Sequence, residues 1–212
     1  MRFIKQRFDE SYHENLLYRE MENSPRNRAR LELIREEAAG GRLLEIGCGK
    51  GGFLRLAEAH FDVEGVDVSE YAIESIREYF GSRVSVRDIV QSDLPSERYD
   101  VIAVFNILEH LRQPGPVIDR LARALKPGGL LVGSVPNNYS LVGGVVTRIG
   151  NFFDRTHVAT YPPQTWRNLF QAGGFGQIRF LGEVTIGRNR CRYLKGPLWP
   201  HLSFNLMFLC KK

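Results

Sequence analysis

An α/β fold, with a doubly wound and mostly parallel sheet covered by helices on both faces, is what the 212-residue sequence predicts, and three observations predict it. Short apolar runs alternate with amphipathic stretches along most of the chain, which is the signature of strand-helix repeats. The run at 101–105 is apolar at every position, as a strand buried on both faces requires. The first run, at 43–46, leads into Gly47-Cys48-Gly49-Lys50-Gly51-Gly52, a glycine turn that opens directly into a helix.

In chain order, Ser24 followed by Pro25 reads as a helix start, with a cap residue before proline at the first helical position. Leu31, Leu33, Ile34 and Ala38 give that helix its apolar face, and Gly40-Gly41 ends it. Strand 1 is expected at 43–46, a helix at 52–60 and strand 2 at 63–68. Ser69 caps the next helix, whose Tyr71, Ile73, Ile76 and Phe80 face the sheet. Residues 84–87 make a short third strand and 101–105 the fourth. Val117, Ile118, Leu121, Ala122 and Leu125 line a helix closed by Lys126-Pro127-Gly128-Gly129, and 130–134 form strand 5. The tail departs from alternation. After a helix at 165–172 come strand candidates at 178–184 and 202–209, separated by an irregular basic stretch and no helix, and strands joined without a crossover helix are more easily antiparallel.

Composition bounds the class. With 43% hydrophobic residues and no low-complexity linker, the chain reads as one domain of 1–212. Within it, 1–40 is an N-terminal helical segment and lid, 41–135 the ligand-binding core, and 136–212 the substrate loop, last helix and terminal strand pair. No apolar run approaches the roughly 20 residues that span a bilayer, and no apolar stretch follows the N-terminal basic residues Arg2, Lys5 and Arg7. A cytoplasmic protein is expected. Cys48, Cys191 and Cys210 are too few and too irregularly spaced for a disulfide framework or a zinc site, so they read as small packing residues. The +5 charge gathers in two places, Arg26, Arg28 and Arg30 early and Arg188, Arg190, Arg192 and Lys195 late. Such clusters are most often an ordinary solvated surface, and otherwise attract anionic substrates, nucleic acid or acidic surfaces. No nucleic-acid module accompanies them.

The glycine turn carries the chemistry. A backbone that must bend at once and admit a ligand closer than a side chain allows needs glycine, and a helix beginning there directs unpaired amides at the ligand. Gly47, Gly49 and Gly52 satisfy GxGxxG, the dinucleotide fingerprint. Glu45 with Gly47, Gly49 and Gly51 equally gives ExGxGxG. Asp67, at the end of strand 2, stands where an acid accepts hydrogen bonds from ribose hydroxyls. NAD and S-adenosylmethionine share that ribose, so the turn alone leaves both open.

With these residues in place, the chain resembles the class I S-adenosylmethionine-dependent methyltransferases, in the small-molecule branch similar to the ubiquinone-type O-methyltransferases. The resemblance covers roughly residues 40–182 and rests on five blocks in order: LLEIGCGKGGF at 43–53, VEGVDVS at 63–69, YDVIAVFNILEHL at 99–111, LKPGGLLVGSVPN at 125–137 and FFDRTHVATYPPQTWRNLFQAGGF at 152–175. It implies a Rossmann-like, seven-stranded sheet whose last strand is antiparallel. It implies that Glu45 and the backbone of Gly47, Cys48, Gly49 and Gly51 hold the methionine end of S-adenosyl-L-methionine, and that Asp67, with Val68 after it, takes the ribose. Asp88 would bind the adenine amino group and Ile89 cover the ring. Asn106 and Ile107 would border the methionine and the substrate pocket.

Methyl transfer from a sulfonium is an in-line displacement in which positioning supplies about 7–11 kcal/mol of the barrier. A hydroxyl acceptor also needs a base for its proton, and His157 and His110 are the candidates with suitable intrinsic basicity. His157 is expected to contact the acceptor from the Asp154-Arg155-Thr156-His157 segment, with His110 second. The loop at 136–163 and the N-terminal Phe8, Tyr12, Leu16, Leu17 and Tyr18 are expected to form a substrate lid, and Phe152, Phe153 and Tyr161 an apolar lining. Asn106-Ile107-Leu108-Glu109 departs from the Asn-Pro-Pro-Tyr of base-methylating enzymes, which argues for a small-molecule acceptor, phosphate-bearing or carrier-linked being the charged variants. No grouped metal ligands stand out in the sequence, so metal-independent chemistry is expected. Two other classes compete with O-methylation: an NAD-dependent oxidoreductase, and an adenosyl-ligand-binding protein without turnover.

Overall fold

The computed structural model describes residues 25–139, 157–186, 190–195, 203 and 205–212. Eight strands form a single sheet, β1 Arg42–Ile46, β2 Asp62–Asp67, β3 Val84–Val86, β4 Tyr99–Phe105, β5 Leu125–Pro136, β6 Gln177–Ile186, β7 Arg190–Leu194 and β8 Asn205–Lys211, in the order β3-β2-β1-β4-β5-β8-β6-β7. The β1 to β5 pairs are parallel throughout. β8 runs antiparallel to β5 and to β6, so β6 shares the direction of the first five strands. This is the Rossmann-like arrangement expected, with one strand more than the seven expected.

The additional strand is β7, antiparallel to β6. It occupies the stretch read from sequence as irregular, because the charges of Arg190 and Arg192 mask its alternation. Those two are exposed while Cys191 and Tyr193 between and after them are half-buried, the period of two that a one-sided edge strand shows.

Five helices accompany the sheet among the described residues: α1 Pro25–Glu37, α2 Gly52–Ala57, α3 Glu70–Phe80, α4 Pro114–Ala124 and α5 Pro163–Ala172. α1 begins at the proline the sequence marked. α3 is capped as expected, the Ser69 hydroxyl accepting from the Ala72 N–H at 3.2 Å. The Lys126-Pro127-Gly128-Gly129 turn proves to be an irregular opening of β5: Leu125 pairs with Tyr99 and Leu130 with Val101, and Gly128 takes a left-handed φ of 74° between them.

Alternation along the central strands divides the core in two. Leu43, Val101, Ala103 and Phe105 face α1, α2 and α3, packing with Leu31, Ile34, Phe53, Leu54, Ile73, Ile76 and Phe80. Leu44, Ile46, Ile102 and Val104 face the other way, onto Val117, Ile118 and Leu121 of α4 and Trp166 and Phe170 of α5. Burying both faces of β4 explains its unbroken apolar run. It also leaves the carboxyl ends of the parallel strands as the edge where polar groups collect.

Candidate active site

The chain winds outward from β1 to β2 and β3, then returns to place β4 on β1's other side. Ligands in open α/β sheets bind at such a switch point, outside the carboxyl ends of the strands. Here the turns after β1 and β4 touch: a Cβ on Gly47 would lie 2.3 Å from Ile107 Cδ1. Gly47 has φ 76°, and Gly49 and Gly51 are also left-handed. The turn is clamped onto β2 by two N–H groups, of Gly47 at 2.7 Å and Cys48 at 3.2 Å, donating to the Val66 carbonyl.

Asp67 sits at the end of β2 and faces this turn. Its carboxylate accepts from Gly49 N–H at 2.8 Å and from Ser69 N–H at 2.8 Å, so it fixes the glycine turn. Val68 follows it, half-buried. Cys48 is 6% exposed and packs under the turn, where a Cβ on Gly65 would come within 3.0 Å of its Sγ. Burial, with Glu45 and Asp67 nearby, pushes its thiol well up, which keeps it neutral.

Glu45 lies on β1, 5% exposed, and its Oε2 has no hydrogen bond among the described residues. Burial raises its carboxyl well above the usual range, Arg30 opposes that shift, and Asp67 adds to it. A buried carboxylate in this state gains most from an incoming cation.

Asn106 ends β4 in a left-handed conformation, φ 55°, a conformation that asparagine tolerates better than most residues. Its N–H donates to the Ser134 carbonyl at 2.8 Å, and its Oδ1 accepts from Ser134 Oγ at 2.8 Å and from Arg30 Nη2 at 3.4 Å. Farther along the edge, Asp88 accepts from Val90 N–H at 2.9 Å and Gln91 Nε2 at 2.7 Å, holding its own turn, while Ile89 is 3% exposed within the core. The structure thus shows a local structural use for both residues that the resemblance placed at the adenine.

After Asn106 the chain makes a short 3₁₀ turn, Leu108–His110. The Val158 and Ala159 N–H groups donate to the Glu109 carbonyl at 2.9 and 2.8 Å, which brings His157 to this turn from 47 residues downstream. The His110 and His157 rings stand 4.9 Å apart between centroids. One ligand atom each from Glu109, His110 and His157 lies within 4.8 Å of the others. This grouping, invisible to local spacing, could orient and accept a proton or hold a divalent ion through two imidazoles and a carboxylate. Val158, next to His157, and Tyr139 are large exposed apolar side chains, and the Tyr139 hydroxyl donates to the Thr160 carbonyl at 3.4 Å. Tyr161 packs at a tilt against Trp166, with ring centroids 5.4 Å apart. Phe152, Phe153, Arg188, the Asp154-Arg155-Thr156 segment and the N-terminal lid residues lie outside the described residues.

The early arginine cluster divides between the interior and the surface, so it is neither wholly the solvated surface nor the anion-attracting patch that the sequence left open. Arg26 and Arg30 turn inward to Glu183 of β6, at 3.0 and 3.4 Å, and only Arg28 is exposed. Asn27 and Arg30 fall on the same helical stripe as Leu31 and Ile34, and that polar interruption of an apolar face was the available signal.

The profile of the family described as methyltransferase domain matches residues 15–178. A ubiquinone biosynthesis O-methyltransferase from Bordetella avium is 35% identical over 122 residues, 52% of this chain and 50% of that protein. A probable S-adenosylmethionine-dependent methyltransferase from Mycolicibacterium smegmatis is 30% identical over 125 residues, 58% and 48% of the two chains. The chain therefore spans about half the length of the curated relatives it matches. A SAM-dependent methyltransferase from Archaeoglobus fulgidus shares the fold with TM-score 0.71 at 21% identity, over 94% of this chain and all of that one. Sheet order, glycine turn and family profile coincide, and the chain belongs to the class I S-adenosylmethionine-dependent methyltransferases.

Proposed function

We propose that this chain transfers the methyl group of S-adenosylmethionine to a hydroxyl oxygen of a small molecule, with Glu109, His110 and His157 receiving the acceptor. The carrying observation is their convergence within 4.8 Å, directly after the turn that borders the cofactor crevice. Relatives named as O-methyltransferases support oxygen as the acceptor atom.

In this reading Glu45 accepts the cofactor's ammonium, the glycine-turn backbone faces its carboxylate, Asp67 takes the ribose hydroxyls, and Asp88 with Ile89 borders the adenine. The acceptor oxygen's lone pair attacks the methyl carbon, the carbon-sulfur bond breaks with its electrons going to sulfur, and S-adenosylhomocysteine leaves uncharged. The hydroxyl proton passes to an imidazole, His157 first and His110 second. Glu109, 1% exposed, balances the imidazolium.

Methyl-labelled S-adenosylmethionine supplied with panels of phenols, catechols and amines tests this, and label is expected only in hydroxyl-bearing acceptors. His157→Ala is expected to lower kcat about 10²- to 10⁴-fold, with little change in cofactor affinity. Product exclusively from amines, or full turnover in both His157→Ala and His110→Ala, removes the oxygen-and-base reading. The same donor set favours a second reading, in which a divalent ion lowers the acceptor's pKa. Abolition of turnover by a chelator and its return with magnesium, manganese or zinc selects the ion; indifference to chelation selects the histidine base.

A further inference from the structure

β3 is the terminal strand on its side of the sheet, and the turn that follows it, at 88–92, belongs to no strand. Its backbone groups therefore need partners other than a ladder. The Gln91 and Ser92 N–H groups donate to the Asp88 carbonyl at 3.1 and 2.9 Å. The next two carbonyls are met by a single side chain from α4: Arg120 Nη1 donates to the Ile89 carbonyl at 2.8 Å and to the Val90 carbonyl at 3.3 Å. Arg120 also reaches Asp93 Oδ1 at 3.4 Å, but that carboxylate is 93% exposed and the pair adds little. The guanidinium is thus spent mainly on the backbone of this turn.

One peptide links Arg120 to Asp88. The unit between Ile89 and Val90 presents its carbonyl to Arg120 and its N–H to Asp88 Oδ1, the latter at 2.9 Å. A trans peptide is planar and its C=O and N–H point opposite ways. Holding the carbonyl from α4 therefore fixes the direction from which the N–H grips the carboxylate. The charge on the guanidinium strengthens the first bond and polarises the peptide, which strengthens the second. Asp88 Oδ2 accepts from Gln91 Nε2 at 2.7 Å. A carboxylate has about four lone-pair sites, so these two bonds orient the group and leave it capacity to accept from a ligand. Ile89 is 3% exposed in the core, which anchors the same peptide on its apolar side.

We propose that Arg120 is a positioning residue for selection of the cofactor's base: through the peptide between Ile89 and Val90 it aims the Asp88 carboxylate at the amino group of adenine. The inference rests on the reading, given above, that Asp88 borders the adenine. Its consequence is discrimination as well as affinity. An oxo group in place of the amino group would set oxygen against carboxylate with no proton between them, and a site built to accept from a donor rejects the analogue that lacks it. A carboxylate free to swing aside would tolerate that base; one gripped from α4 does not. Arg120 then governs the choice of base without touching it.

Calorimetric affinities for S-adenosylhomocysteine and S-inosylhomocysteine, whose base carries an oxo group where adenine carries its amino group, are measured for the native chain, Arg120→Met, Arg120→Lys and Asp88→Asn. The native chain is expected to prefer the adenosyl ligand about tenfold or more. Arg120→Met, which keeps an apolar stem and removes the donors, is expected to cut that preference about threefold or more, by weakening the adenosyl ligand while the inosyl ligand changes less than about twofold. Arg120→Lys, the milder change should the methionine variant not fold, is expected to cut the preference about twofold, since one ammonium replaces a planar fork. Equal loss of both ligands in the arginine variants makes Arg120 a general prop for the turn, and an unchanged preference removes any role in base selection; each overturns the inference. Asp88→Asn, whose amide can donate to an oxo group, is expected to abolish the preference. If Asp88→Asn keeps the native preference, or the native chain shows none, the adenine reading of Asp88 fails and the inference falls with it. Preference lost in Asp88→Asn but intact in both arginine variants overturns the inference about Arg120 alone.

Discussion

At the scale of single residues, the crevice is set by two turns that leave each other no room. Gly47 has φ 76° and faces Ile107, whose Cδ1 would be 2.3 Å from any added Cβ. Gly47→Ala therefore carries both a left-handed backbone penalty and a clash, together about 2–3 kcal/mol. Denaturant unfolding is expected to show that loss, and Ile107→Ala in the same chain is expected to relieve part of it by opening space. Stability equal to the native chain in Gly47→Ala would mean that the two turns are not packed as described. At this scale the sequence was informative wherever a conformational demand has a dedicated residue: the glycines, Asp67 and Ser69 stand where their spacing placed them. It was silent where a role depends on what meets a residue from afar. Nothing near Glu109 announces His157, and Arg30 resembled its exposed neighbour Arg28 until the structure placed Glu183 opposite it.

At the scale of elements, the parallel strands are tied at the end away from the cofactor by one carboxylate. Asp100, early in β4, accepts from the Arg42 N–H at the start of β1 at 2.8 Å and from Lys126 Nζ at the start of β5 at 2.7 Å. Burial alone would raise its pKa, but the Lys126 hydrogen bond, the Arg42 amide and the Lys126 charge outweigh it, so the group is held below its usual 3.8. A carboxyl with a lowered folded-state pKa contributes stability that is present above its unfolded value and lost as pH falls through the folded one. Asp100→Asn is expected to cost about 1 kcal/mol at neutral pH, discounted because Lys126 is half-exposed, and the gap to the native chain is expected to close as pH falls below the ordinary aspartate range. A gap that stays constant from pH 7 to pH 2 would show that the Asp100 charge contributes nothing. Helix starts with a dedicated residue were legible, α1 from its proline and α3 from its cap. β7 was not, since an edge strand carrying arginines on its outer face looks like a basic loop.

At the scale of the molecule, the strand order creates the site. Reversal of winding at β1 and β4 opens a crevice at the carboxyl edge, and the central strands bury apolar side chains on both faces, in the two cores. The late insertion of β8 between β5 and β6 brings Asn205 to Glu183 and so completes the polar support behind Arg30. The alternation of strands and helices made the parallel half of the sheet readable in advance, and the absence of a crossover helix pointed to its antiparallel edge. The resemblance implies a terminal antiparallel strand beside the sixth, where β8 stands; that β8 would also part β6 from β5 was not read, because neighbour choice depends on the surface already assembled. Among the described residues no helix is long and apolar enough to cross a membrane, and the exposed Arg190, Arg192 and Lys195 leave the β6-β7 edge basic.

The central claim is that the turn after β1 and the acid at the end of β2 form an adenosyl site tuned to a sulfonium amino acid. The most direct measurement is calorimetric titration of the native chain and Asp67→Ala with S-adenosylmethionine, S-adenosylhomocysteine and NADH. The geometry predicts binding of both adenosyl ligands by the native chain, a loss of at least tenfold in the variant, where Gly49 and the ribose lose their shared acceptor, and no NADH binding in either. NADH binding without the adenosyl ligands, or adenosyl binding unchanged in Asp67→Ala, would contradict it.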